Sequence, residues 1–120
     1  MALRAVRGAV QVDRDDAEEV LAASAEMVQA VLTRNGLTAD DLVSVLFTAT
    51  PDLTSEFPAY AARQMGMVDV PLMCAVEMAV PGAMPRVLRL LAHVETDLAR
   101  SEVRHVYLRG AAALRTDLPT

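Results

Sequence analysis

The sequence predicts an α/β domain, with a mixed sheet and helices mostly on one face. Three observations carry the prediction. Segments of period-two alternation interleave with segments whose apolar residues recur at helical spacing. One internal stretch, Leu42 to Thr50, is apolar on both faces, the pattern of a central strand. The chain has 120 residues, 53% of them apolar, which is enough for one core and too little for two domains. Residues 1–120 therefore read as a single domain, with the expected order β-α-β-α-β-α-β-β.

Residues 3–12 are rich in Val and Ala and form the first strand. Alternation puts Leu3, Ala5, Arg7 and Ala9 on one face and Arg4, Val6, Gly8 and Val10 on the other. Arg7 thus shares its face with small residues. Asp15-Asp16-Ala17-Glu18 is a helix start, and the helix runs to about Asn35. Its buried stripe is Val20, Ala23, Met27, Val28 and Val31, with Ser24 inside the stripe and free to bond back to a carbonyl one turn earlier. Gly36 ends it.

Beyond the central strand, Thr50 to Glu56 is a polar loop. Thr54 or Ser55 caps a short helix, Phe57 to Met65, with Pro58 in its first turn and Gly66 as its stop. Val70 to Met78 is the next strand. Gly82 and Pro85 introduce a third helix to about Thr96, with a core stripe of Val87, Leu90, Leu91 and Val94. Arg86, Arg89 and His93 take its polar face. Val103 to Leu108 is a strand, and Ala111 to Leu114 a possible last one.

Composition narrows the function. The core is mostly aliphatic, since only Phe47, Phe57, Tyr60 and Tyr107 are aromatic. So much apolar surface on so small a domain is expected to be buried partly against other copies of itself. A net charge of −5 argues against nucleic acid as partner. All eleven basic residues are arginine, which removes Schiff-base lysine chemistry and lysine-dependent phosphate loops. Arginine also grips carboxylates in a fixed planar geometry. The single cysteine excludes an internal disulfide and a multi-thiolate metal site. No signal-peptide pattern and no membrane-length apolar run occur, so a soluble cytoplasmic protein is expected.

The most apolar stretch, Val70-Pro71-Leu72-Met73-Cys74-Ala75-Val76-Glu77-Met78, holds the only cysteine and a carboxylate. A buried carboxylate without a partner is very unfavourable, so Glu77 must meet water, a base or a ligand. Positions three apart on a regular strand face opposite ways. For Cys74 and Glu77 to address one ligand, the strand must break or bulge near Ala75. Otherwise Cys74 is a small core residue and Glu77 a solvated strand end. Arg7 is a carboxylate holder or an exposed charge. Arg89 lies on a polar face, where solvation is a sufficient account, and Arg63 near a helix C-terminus favours the dipole. Tyr107 shares its face with His105 and Arg109. No phosphate loop, paired-His metal motif or nucleophile elbow is present. The inventory suits a small polycarboxylate and is poor in proton-transfer machinery.

Read in order, several blocks resemble a known family. They are Arg4-Ala5-Val6-Arg7-Gly8-Ala9, then Thr48-Ala49-Thr50-Pro51-Asp52-Leu53, then Phe57-Pro58-Ala59 with Ala61 and Arg63. Val70 to Cys74 follows with Glu77-Met78, then Gly82 and Arg89. Arg104-His105-Val106-Tyr107-Leu108 and Leu114-Arg115-Thr116-Asp117-Leu118 close the chain. Together they resemble the small trimeric α/β class of chorismate mutase, which is distinct from the all-helical class.

The resemblance implies a trimeric pseudo-barrel with helices outside and active sites between subunits. It implies a unimolecular rearrangement of chorismate to prephenate, in the Phe/Tyr branch of aromatic amino acid biosynthesis, without metal or cofactor. It implies that Arg89 faces the ether oxygen that gains negative charge, and that Arg7 and Tyr107 grip carboxylate. Glu77 and Cys74 would hold the ring hydroxyl, so the strand is expected to break between them. Phe57, Ala59 and Leu72 would line an apolar wall. Arg63, Met73 and Leu114 would be peripheral, and Arg115 part of a closing tail. The sequence departs from the family at Tyr60, where some members carry lysine, and at Met73, where some carry threonine; its tail is also short. Two other functions fit the residues: a trimeric imine or enamine deaminase, and a non-catalytic binder of an anionic metabolite.

Overall fold

The computed structural model describes residues 1–114. Its elements are β1 (Ala2–Gln11), α1 (Ala17–Arg34), β2 (Leu42–Ala49), α2 (Pro58–Gln64), β3 (Leu72–Val76), β4 (Val87–Thr96) and β5 (Val106–Leu108). Short 3-10 turns cover Ala39–Asp41, Arg100–Glu102 and Arg109–Ala113. The five strands form one mixed sheet in the order β3-β2-β4-β1-β5. β4 runs antiparallel to both β1 and β2, while β3 and β5 lie parallel to their neighbours.

Helix α1 starts where an acid can accept the first free amide. Asp16 takes the Glu19 amide at 3.1 Å, satisfying one of the donors that every helix start leaves open. At its other end Gly36 stands at φ +62, and Leu37 N–H closes onto the Leu32 carbonyl at 2.8 Å, a Schellman-type stop. The expected stripe is buried whole, against Val6, Val10, Phe47, Leu88 and Leu90 of the sheet. Helix α2 adds Ala59 and Ala62 to the same core. Contact is close at Gly8, where a Cβ would lie 3.1 Å from Met27 and 3.2 Å from Leu90. Glycine there lets α1 sit directly on the sheet without displacing either side chain.

Several expectations are corrected. Residues 87–96 are a strand and not a third helix, so the described order is β-α-β-α-β-β-β. The error has a simple origin: spacing of four keeps two residues on one face in a helix and in a strand alike. Leu90 with Val94, and Arg89 with His93, satisfied both patterns. The alternation of Leu88, Leu90, Ala92 and Val94 with Arg89, Leu91, His93 and Glu95 was the signal for a strand. In β4 the first set is buried and the second half-buried or exposed, and Leu91 moves from the expected core stripe to the open face.

Ala111 to Leu114 is not a strand; Arg109–Ala113 is a 3-10 turn. The Ser24 hydroxyl is buried and has no hydrogen-bond partner among the described residues. Phe57, rather than Thr54 or Ser55, occupies the N-cap of α2. The amides of Thr54 and Ser55 donate instead to Asp15, each at 3.1 Å, and the Thr54 hydroxyl does so at 2.9 Å.

Asp15 thereby ties the start of α1 to the loop that leads into α2. The neighbouring Ser55 hydroxyl, then the Thr54 amide, hold its carboxyl below the ordinary carboxylate range; of the two Ser55 groups, only the amide meets hydrogen-bond geometry. A depressed pKa in the folded state gives stability that is present above the unfolded pKa, about 4, and is lost as pH falls through the lower folded value. Asp15→Asn is therefore expected to lower the thermal midpoint at neutral pH. The gap to the parent should narrow below about pH 4. A gap that stays constant to pH 2 would show that the carboxylate charge contributes nothing.

Candidate active site

Strand register gathers the charged residues. Across all five strands, Ala75, Thr48, Arg89, Ala9 and Tyr107 pair in one row: Ala75 with Thr48, Thr48 with Arg89, Arg89 with Ala9, and Ala9 with Tyr107. Paired residues of neighbouring strands project to the same side. This side is the face opposite the two helices, since the alternate residues Phe47, Leu88, Leu90 and Val10 are the ones packed in the core. Ala9, between Arg89 and Tyr107, is buried in a small cluster with Val87, Tyr107 and Ala111. Arg7 lies two residues along the same face.

A hollow of about 260 Å³ opens there, lined by Arg7, Ala9, Thr48, Arg89, Leu91 and Tyr107 among others. The Arg7 guanidinium is exposed, while its amide donates to His105 Nδ1 at 3.0 Å. Tyr107 is only 8% exposed, on the edge strand beside Val87 and Ala111, so it is not a surface tyrosine. His93 shares the face with Arg89, its Nδ1 3.2 Å from the Ser44 hydroxyl.

Glu77 completes this half. Its amide donates to the Ala49 carbonyl at 2.9 Å, so the β2–β3 ladder continues one residue beyond β3. Alternation then places Met73, Ala75 and Glu77 on the Arg89 side. Arg89 Nε donates to both Glu77 oxygens at 3.1 and 3.2 Å, and the Thr48 hydroxyl donates to Glu77 Oε2 at 2.7 Å. The partner that the carboxylate requires is therefore Arg89, with Thr48 as second donor. Both arginine contacts use Nε; among the described residues the terminal nitrogens make no hydrogen bond. The residue that sequence reasoning missed is Thr48. Its place on a strand was visible, but only register sets it beside Glu77 and Arg89.

Cys74 goes the other way. It pairs with Phe47 and packs against the main core. Regular strand does stop between Cys74 and Glu77, since β3 ends at Val76. This does not bring the two together: the Glu77 amide still bonds the Ala49 carbonyl, and the two residues line different hollows. The thiol and the carboxylate lie on opposite faces of the sheet. Cys74 instead lines a second hollow of about 430 Å³ together with Phe57, Ala59, Arg63, Leu72 and Met73. Phe57 is 70% exposed and Met73 68%. Leu114 packs beside Tyr107 and Val87. Arg115 lies outside the described residues.

One chain thus carries two separate hollows. The first has two arginines, a tyrosine and a held glutamate, without an apolar roof. The second has an exposed aromatic wall with one arginine. Neither has a nucleophile beside a base, so the geometry suits fixed-charge stabilisation better than proton transfer.

Comparison with known proteins agrees with this chemistry. The family model described as chorismate mutase type I matches residues 3–118. The chain is 50% identical over 117 residues to chorismate mutase AroH of Thermus thermophilus, covering 97% of this chain and 96% of the relative. It is 39% identical over 119 residues to chorismate mutase AroH of Bacillus subtilis, covering 98% and 94%. Its fold is similar to that of a chorismate mutase from Clostridium thermocellum, with a TM-score of 0.90 and 41% identity, covering 91% of this chain and 97% of the other. With the family matched almost end to end and the charged face assembled by register, the chain belongs to the type I chorismate mutases.

Proposed function

We propose that this chorismate mutase rearranges chorismate to prephenate in a site made by two subunits of a homotrimer. The observation that carries the proposal is the held Arg89. Its Nε is occupied by Glu77, so the guanidinium plane is fixed and its terminal nitrogens are left for substrate. In the rearrangement one C–O bond breaks as a C–C bond forms, and negative charge grows on the ether oxygen. A donor already aimed at that oxygen stabilises the transition state more than the ground state.

Arg7 and Tyr107 take substrate carboxylate on the same face, which holds the reacting ends in contact. Glu77 accepts from the ring hydroxyl. Cys74 joins the site through its main chain rather than its thiol, because β3 is an edge strand with one side unpaired. Phe57, Ala59, Arg63, Leu72 and Met73 roof the site from the neighbouring copy, with Leu114 at the rim.

Two features support a shared site. The charged half lies on a sheet face that neither α1 nor α2 covers, with Leu3 at 59% exposure. The apolar half is equally uncovered around Phe57. Burying one against the other removes both exposed surfaces from water. Closed rotational symmetry then repeats the contact in each copy. A single free thiol fits a cytoplasmic location. Among the described residues no helix is long and apolar enough to cross a membrane.

The test follows chorismate absorbance with purified protein and chelator. First-order loss with prephenate as product is expected, with little pH dependence near neutrality. Tight binding without turnover would overturn catalysis; ammonia release from an imino acid without prephenate would favour a deaminase. For the shared site, Arg89→Ala and Arg63→Ala chains are refolded together. Activity exceeding that of either variant alone is expected. Mixed oligomers no more active than the separate variants would place each site within one chain.

A further inference from the structure

We infer that Asp52 is a positioning residue that sets the register of β4 and thereby aims Arg89; the inference rests on the role assigned to Arg89 above. Arg86, directly before β4, stands at φ +54, a left-handed conformation that residues with a Cβ rarely adopt. Such a residue persists only where its surroundings over-determine it. Here they do. The Arg86 amide donates to both Asp52 carboxylate oxygens at 3.0 and 3.3 Å. Its carbonyl accepts from the Val12 amide at 2.9 Å, and its Nε donates to the Val12 carbonyl at 3.0 Å.

Asp52 is itself held by the buried Thr50. The Thr50 hydroxyl donates to it at 2.5 Å and accepts from the Val87 amide at 3.1 Å. The Thr50 amide donates to the Val87 carbonyl at 3.0 Å.

This knot replaces the next rung of the β2–β4 ladder, immediately beyond the pair Ala49 and Leu88. The pair before that is Thr48 and Arg89, the two donors that hold Glu77. A strand that slips by one residue turns every side chain to the other face. A slip of β4 would send Arg89 into the core and bring Leu90 to the substrate. The strained turn at Arg86 therefore fixes which residue faces the site, and the Asp52 carboxylate holds that turn.

The experiment is a double-mutant cycle between Asp52→Ala and Arg86→Gly, read as kcat and KM for chorismate, with the thermal midpoint in parallel. Glycine adopts positive φ without support, so it should replace what Asp52 does. Asp52→Ala alone is expected to lower kcat about tenfold with KM changed less than about threefold. In the Arg86→Gly background the same substitution should cost no more than about twofold. Where Asp52→Ala does not accumulate folded, Asp52→Asn is read in the same cycle. A parental kcat in the Asp52 variant, or an equal loss in both backgrounds, overturns the inference. Arg89→Lys is run beside them. If it retains the parent rate, the role of Arg89 falls and the inference with it. If it is crippled while the Asp52 variant is not, positioning alone is overturned.

Discussion

Arg89→Lys is expected to lower kcat about 10²–10³-fold, the loss seen when a fixed donor to a developing oxyanion is removed. Charge is conserved in this substitution, and the loss comes from geometry. Lysine has no planar fork, so it cannot donate to Glu77 through one nitrogen while holding two others towards substrate. KM should change far less than kcat, because the interaction strengthens as charge develops on the ether oxygen. The denaturation midpoint should stay close to the parent's, since the Arg89 side chain is 40% exposed and a half-solvated ion pair contributes little to stability. The check is first-order kinetics on the purified variant beside a urea titration. A rate within threefold of the parent would remove Arg89 from its assigned role.

Phe47→Ala is expected to do the reverse. Phe47 is fully buried on β2, paired with Cys74 on one side and Leu90 on the other. It is among the largest fully buried side chains and joins sheet to helices in a core otherwise made of Val, Leu, Ala and Met. Truncation removes its transfer energy and leaves a void that aliphatic neighbours fill only in part. The expected cost is about 3–5 kcal/mol, a large share of the ~5–15 kcal/mol that a domain of this kind has. Because assembly contributes by mass action, parent and variant must be compared at one protein concentration. Unfolding free energies that agree to within about 1 kcal/mol would mean that the site refills completely.

These two residues also mark how far sequence reasoning reached. Phe47 was legible. It sits in a stretch apolar on both faces, the pattern of an interior strand; in the sheet β2 lies second from the edge, between β3 and β4, with Val45 and Phe47 buried. The stripe of α1 was legible for the same kind of reason, since helical periodicity is local and Asp16 and Gly36 mark its ends. Arg89 was legible as a charged residue but not as part of a strand. Its spacing to His93 fits a helix and a strand equally, and the deciding partners, Ala9 and Thr48, are 80 and 41 residues away in sequence.

Cys74 and Glu77 show the same division. Their spacing stated the choice plainly: one face if the strand breaks, two if it does not. The sequence could not decide which face Glu77 takes, because that depends on the neighbouring strand: β3 ends at Val76, yet the Ala49 carbonyl still accepts from the Glu77 amide and keeps the carboxylate on the Arg89 side.

By itself, then, the sequence determined the α/β class, the main helix, the interior strand β2 and the order of motifs that places the chain among the type I chorismate mutases. These follow from local periodicity, from end signals and from residue types in fixed order. Only the tertiary structure decided that residues 87–96 pair as a strand, that Arg89, Thr48 and Glu77 close one polar cluster, that the Cys74 thiol points away from it, and that Asp52 holds a strained Arg86 at the mouth of β4. Each of these depends on register, and register arises from hydrogen bonds between residues far apart in the chain, where no local pattern specifies which carbonyl meets which amide.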